Sequence, residues 1–239
     1  MPKRSYKAVF FDLDGTLLPI DMDAFLKNYF NDIAAFVQAR GHDPKQFIDA
    51  LSAGVKSMLT KQGSLNSERF WETFTSRMGG DSSAEYEKMM DEYYATHFDG
   101  LSAMATNVDP NAAYVVKTLK EKGYPLYLTT MPLFPRIAVE KRLSWANVPA
   151  SAFDRITTYD NSTSTKPHTA YFRENVEAIG LAPEDILMVG NNTREDLAAM
   201  KLGLDAYLVT DWLLDPDGFD IESVKHGTLA DFARFVRSE

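Results

Sequence analysis

The chain has no cysteine among its 239 residues. That excludes disulfides and thiolate metal sites, and it agrees with a reducing compartment. No apolar run approaches the length of a membrane span, and Met1-Pro2-Lys3-Arg4-Ser5 is not followed by a secretory hydrophobic core. Positive charge is in short supply: 25 Lys and Arg stand against 34 Asp and Glu, a formal net charge of −9. This argues against a nucleic-acid partner, which wants a basic face. The same field repels an anionic ligand at long range, so a few local cations must capture one. Internal repeats and low-complexity tracts are also missing. What is present is 45% hydrophobic, enough for a sizeable core. The length fits one large domain or one domain carrying an insert. These features lead us to expect a cytoplasmic protein without membrane association.

One stretch organises the rest: Lys7-Ala8-Val9-Phe10-Phe11-Asp12-Leu13-Asp14-Gly15-Thr16. An uninterrupted apolar run reads as a strand buried in a parallel sheet. Ligands of open α/β sheets bind at the carboxyl ends of the strands, so Asp12 and Asp14 are expected at the mouth of a site. The two acids need not perform the same task. Gly15 permits a sharp turn away from the strand.

From Asp21 to about residue 100 the patterning is helical throughout. Asp21-Met22-Asp23 offers capping carboxylates, and Phe25, Tyr29, Ile33 and Phe36 recur on one face as far as Gly41. Asp43-Pro44 begins a second helix reaching about Thr60. Ser67 and Glu68 open a third, with Phe70, Trp71 and Phe74, which Gly79-Gly80 breaks. Ser82 or Ser83 caps a fourth, with Tyr86, Met89, Met90 and Tyr93. These aromatic and methionine stripes read as core.

The pattern changes after Asp109-Pro110. A helix over residues 110–122 precedes an apolar strand, Tyr124 to Met131, that closes in Thr129-Thr130. Pro135 to about Leu143 is helical and Phe153 to Tyr159 is a strand. A Ser/Thr-rich loop then ends in Thr165-Lys166-Pro167, with a helix expected over 167–179. Lys166 thus precedes a helix N-terminus, where the dipole also favours anions. Asp185 to Gly190 is a buried strand, followed by Asn191-Asn192-Thr193-Arg194-Glu195-Asp196 and a helix from Leu197 to Met200. Asp205 to Thr210 reads as the last strand, and Thr228 to Arg237 as a closing helix. Glu195 and His168 read as solvated helix positions.

The Asp12-Leu13-Asp14-Gly15-Thr16 stretch resembles the Asp-x-Asp-Gly-Thr signature of the haloacid dehalogenase-like (HAD) superfamily. The later signals appear in that superfamily's order: a strand closing in Thr, a Lys-Pro, and a Gly-led loop ending in Asp196. The resemblance covers essentially the whole chain. It implies an α/β fold, a Rossmann-like three-layer core with a parallel sheet, built from residues 1–20 and 101–239. Residues 21–100 are the inserted all-helical cap domain. It further implies a Mg²⁺-dependent phosphatase acting on a small-molecule phosphate ester through an aspartyl-phosphate, as a monomer or homodimer. By that resemblance Asp12 is the nucleophile and Asp14 the acid and base. Gly15, Thr16, Thr130, Met131 and Lys166 bind the phosphate, Thr129 being the alternative to Thr130. Asp12, Asp14, Asn192 and Asp196 hold the metal. Two departures stand out: Met131 occupies the place of a usual Asn, and an amide, Asn192 or its neighbour Asn191, replaces a metal-binding carboxylate.

Other chemistries on the same fold are a phosphosugar mutase, which differs in the acceptor, and a haloacid dehalogenase. Asp14 argues against the dehalogenase, because a halide leaves without an acid. A non-catalytic binding protein is the reading from a different class.

Overall fold

The computed structural model describes residues 6–80, 83–105 and 107–238. The N-terminal stretch Met1–Ser5 and the candidate cap Ser82 lie outside the described residues. Six parallel strands form one sheet: β1 (Ala8–Phe11), β2 (Leu126–Leu128), β3 (Arg155–Ile156), β4 (Ile186–Gly190), β5 (Asp205–Val209) and β6 (Lys225–Gly227). Their spatial order is β3-β2-β1-β4-β5-β6. β1 lies centrally, with Phe11 opposite Leu128 on one side and Val189 on the other.

Alternation along β1 sends its side chains into two separate cores. Val9 and Phe11 belong to one hydrophobic cluster with Leu128, Val189, Val116 and Phe232. Ala8 and Phe10 belong to another with Tyr127, Met188, Tyr171 and Phe172. Helices α5 (Pro110–Glu121), α6 (Arg136–Trp145) and α8 (Leu229–Ser238) supply the first. Helix α7 (Thr169–Ile179) and a 3-10 segment, Leu197–Leu202, supply the second. The result is a Rossmann-like three-layer α/β sandwich, which explains why the strands are apolar on both faces.

Between β1 and α5 come α1 (Met22–Gln38), α2 (Pro44–Thr60), α3 (Asn66–Met78) and α4 (Ala84–Thr96). Asp21 caps α1 by accepting the Ala24 N–H at 3.0 Å, and Asp43 caps α2. Phe25, Tyr29, Ile33 and Phe36 are all buried. At Gly54 of α2 an added Cβ would lie 2.6 Å from the Phe70 ring, so glycine lets α3 approach closely. Phe25 and Tyr29 pack edge-on or tilted against Phe134 and Trp145, and Phe98 stacks on Trp145, joining these helices to α6. Among the described residues no helix is long and apolar enough to cross a membrane.

Several elements differ from the sequence reading. β2 and β3 are shorter than expected, because the chain leaves the ladder once its last partner on the neighbouring strand is met. Thr129 N–H donates to Phe11 O at 2.7 Å and Thr157 N–H to Leu128 O at 2.9 Å. β5 is not the last strand. β6, Lys-His-Gly, is a partly exposed edge strand whose residues carry no β-branched or aromatic signal. Ser83 makes no side-chain cap bond at α4. Helix α7 begins at Thr169 rather than residue 167, with His168 in the cap position.

Candidate active site

The strand order reverses between β1 and β4, and at such a switch point the loops from adjacent strands diverge and open a crevice. Asp12 leaves β1 there, and Asn191 leaves β4. The turn after β1 is tight: Leu17 and Leu18 N–H groups both donate to Leu13 O, at 2.9 Å each. Gly15 sits in it at φ +82°, and a Cβ there would be 2.2 Å from the Asn191 amide nitrogen. Gly15 lets the β1 and β4 loops close on each other, and Gly190 lets Asp196 fold back over the end of its own strand, where a Cβ would be 2.2 Å from Asp196 Oδ2.

Lys166 joins the acids. Its buried ammonium donates to Asp12 Oδ1 at 2.7 Å and to Asp196 Oδ1 at 2.6 Å. Burial works against the ammonium's proton, but Asp12 and Asp196 outweigh it and the lysine is held firmly charged. Asp196 is pushed up to about 6, chiefly by burial, with Lys166 opposing. Thr16 donates from its hydroxyl toward Asp12 Oδ2 (3.3 Å) and Asn191 Oδ1 (3.1 Å).

Asp14 points elsewhere: alternation would put residues two apart on one face, but β1 ends at Phe11 and the turn that follows redirects Asp14. Its Oδ2 accepts from Arg142 Nη1 at 2.5 Å, while its Oδ1 is buried without a partner. Burial raises its proton affinity, and Arg142 works in the opposite direction. Arg142 also stacks over Phe134, 4.5 Å from the ring centroid.

Asp12, Asp14, Thr130, Met131, Arg142, Asn191, Asn192, Glu195 and Asp196 surround a cavity of about 290 Å³. Thr130 and Thr129 part company here. The Thr129 hydroxyl donates to Phe11 O within the fold, whereas the Thr130 hydroxyl is buried at the cavity with no partner. The Thr130 carbonyl is pinned from behind by the hydroxyls of Tyr171 (2.8 Å) and Thr157 (2.9 Å). Gly15, Thr16 and Lys166, expected to meet the ligand, adjoin the cavity's lining residues: Thr16 and Lys166 bond to Asp12, and Gly15 abuts Asn191. Glu195 is not the solvated residue expected: it lines the cavity, and burial pushes its carboxyl up to about 7.

The donors fit a small hard cation in kind: two carboxylates, Asp12 and Asp196, with amide and backbone oxygens around them. Among the described residues no three acidic, histidine or cysteine side chains form a metal cluster. Asn191 Oδ1 receives the Thr16 hydroxyl, and its amide donates to Trp212 O at 2.6 Å. Asn192 Oδ1 accepts the N–H groups of Arg194 (3.0 Å) and Glu195 (3.1 Å).

Arg142 was missed by sequence reasoning. Its signal is an arginine on the buried stripe of α6, where Ala138, Val139, Leu143 and Trp145 are otherwise apolar.

The haloacid dehalogenase-like hydrolase family model matches residues 6–203. The chain is 28% identical over 218 residues to a glyceraldehyde 3-phosphate phosphatase of Methanothermobacter thermautotrophicus, covering 90% of this chain and 91% of that protein. It is 24% identical over 218 residues to pyrophosphatase PpaX of Bacillus mycoides, covering 86% and 84%. A HAD phosphatase structure from Thermococcus onnurineus superposes with a TM-score of 0.58 at 19% identity, covering 98% of this chain and 99% of that one. The central strand ending in Asp12 and Asp14, the Lys166 bridge and this match over most of the chain lead to one conclusion: the protein belongs to the haloacid dehalogenase-like hydrolases.

Proposed function

We propose that the protein is a phosphatase that hydrolyses a phosphate monoester through a phosphorylated Asp12, with Mg²⁺ as cofactor. The observation that carries this reading is Lys166 joining Asp12 and Asp196 at a cavity into which Thr130 presents an unpartnered hydroxyl. A buried hydroxyl with no acceptor suits a ligand oxygen. The relatives named for phosphatase and pyrophosphatase activity support the same reading.

Asp12, Asp196, the backbone carbonyl of Asp14 and one asparagine oxygen, that of Asn192 or Asn191, would hold the metal. When bound, Mg²⁺ offsets the like charge of ester and carboxylate. An Asp12 oxygen attacks phosphorus, and the bond from phosphorus to the alcohol oxygen breaks. Asp14 gives the departing alkoxide its proton, then takes one from the water that splits the aspartyl-phosphate and releases inorganic phosphate. Burial raises Asp14's proton affinity, which favours the acid half of that cycle. The Thr130 hydroxyl binds an equatorial oxygen, and Lys166 offsets charge beside Asp12.

In this reading residues 21–100 act as a cap over the core of residues 1–20 and 101–239, excluding water from Asp12. Leu26 of α1 and Leu59 of α2 already line the cavity. The test is Asp12→Asn, which keeps a hydrogen-bond acceptor for Lys166. Release of inorganic phosphate from esters in the presence of Mg²⁺ should vanish while the circular dichroism spectrum is retained. A variant as active as the parent would refute the nucleophile.

A further inference from the structure

Beyond the catalytic cavity lies a second chamber, of about 280 Å³, between the helices α1 to α4 and the loop leading into α6. Leu26, Leu59, Leu133 and Phe134 line both spaces, so the two are adjacent and divided only by these four apolar side chains. The far walls are Leu51, Val55, Phe70, Trp71, Met90 and Tyr94. Among the described residues no lysine, arginine or histidine lines this chamber. Its acid, Asp91, is exposed.

The polar groups of the chamber are few. The Tyr29 and Tyr94 hydroxyls are 2.8 Å apart. A sugar with several hydroxyls would find few partners here for the water it gives up, and a second phosphate would meet no cation. Hydrocarbon meets neither obstacle. A dry cavity of about 150 Å³ holds one benzene ring, so this chamber takes a larger aromatic or alkyl group. The approach is apolar too: Leu59 and Leu214, on the rim of the catalytic cavity, are among the exposed large hydrophobics.

We propose that the chamber receives the leaving group, and that the substrate is a phosphate monoester of an apolar alcohol, aromatic or medium-chain. This rests on the phosphatase reading and names its substrate class. Hydrolysis consumes one water and releases the apolar alcohol and inorganic phosphate.

Two measurements on the full chain separate the claims. First, 3-phenylpropanol, the product of one such ester, is titrated calorimetrically. It should bind the parent, and Val55→Trp, which fills the chamber, should weaken binding at least tenfold. Second, kcat/KM with Mg²⁺ is compared for 3-phenylpropyl phosphate and glycerol 3-phosphate, whose leaving groups are both alkoxides. The apolar ester should be favoured about 100-fold in the parent, and the Val55→Trp variant should lose most of that preference. No alcohol binding by the parent overturns the chamber's role. Alcohol binding together with equal turnover of the two esters overturns the substrate class and leaves the phosphatase standing. Alcohol binding with no turnover of any ester overturns the phosphatase reading and the substrate class with it.

Discussion

Arg142 reaches across 128 positions of sequence to place Nη1 2.5 Å from Asp14 Oδ2. Its side chain is 1% exposed, and its second terminal nitrogen has no partner. Removing one member of a buried ion pair strands the other as an uncompensated charge, typically at about 3–5 kcal/mol. Arg142→Met should therefore lower the melting temperature markedly. Adding Asp14→Asn removes the stranded charge and should restore part of the loss. Thermal melts of the two single variants and the double variant measure the coupling; strictly additive losses would mean that the pair is not an energetic unit.

Thr130 separates stability from activity. Its hydroxyl carries a desolvation penalty with no compensating bond in the free protein. Thr130→Val should leave thermal stability unchanged or slightly raised. It should lower kcat/KM for any ester by about tenfold or more, since one transition-state contact is lost. Thr129→Val is the contrasting case: it removes the bond to Phe11 O at 3.3 Å and should cost stability.

The two asparagines differ in what a carboxylate would add. Asn192 Oδ1 already serves two backbone N–H groups, and an amide oxygen has two lone pairs. An aspartate there keeps the turn with one oxygen and presents a second, negative one to a cation. Asn192→Asp should tighten Mg²⁺ binding by calorimetric titration. An unchanged titration transfers the ligand role to Asn191 or Glu195.

Acid stability offers a test far from the site. Asp205 Oδ2 accepts from Tyr6 and Lys225, each at 2.5 Å. Burial pushes its carboxyl up, but these donors outweigh it and hold it below the ordinary 3.8. A group depressed in the fold stabilises above its unfolded value and loses that contribution as pH falls through the folded one. Lys225 is well exposed, so the worth of the pair is discounted to about 0.5–1 kcal/mol. Asp205→Ala should melt lower than the parent at about pH 6, and the gap should narrow toward about pH 3.

The sheet and its order of use were legible because burial on both faces leaves continuous apolar runs, as in β1 and β4. The glycines and acids that end those runs mark where the chain must turn. Asp12 could be named from local sequence for that reason, whereas Lys166 and Asp196 were named by the resemblance to the superfamily's later motifs. β6 could not: its pairing with β5 is made by backbone groups at an edge, which leave no side-chain signature in Lys225-His226-Gly227.

Local pattern thus determined that this chain has a Rossmann-like α/β core with acids just past the end of its first strand. Tertiary structure alone decided which acid meets which cation, which threonine keeps a free hydroxyl, and that the aromatic stripes of α1, α3 and α4 leave a chamber between them. Those outcomes depend on distances between segments far apart in sequence, set by how helices and strands pack. A one-dimensional periodicity carries the face a residue occupies, but not the partner waiting on the other side.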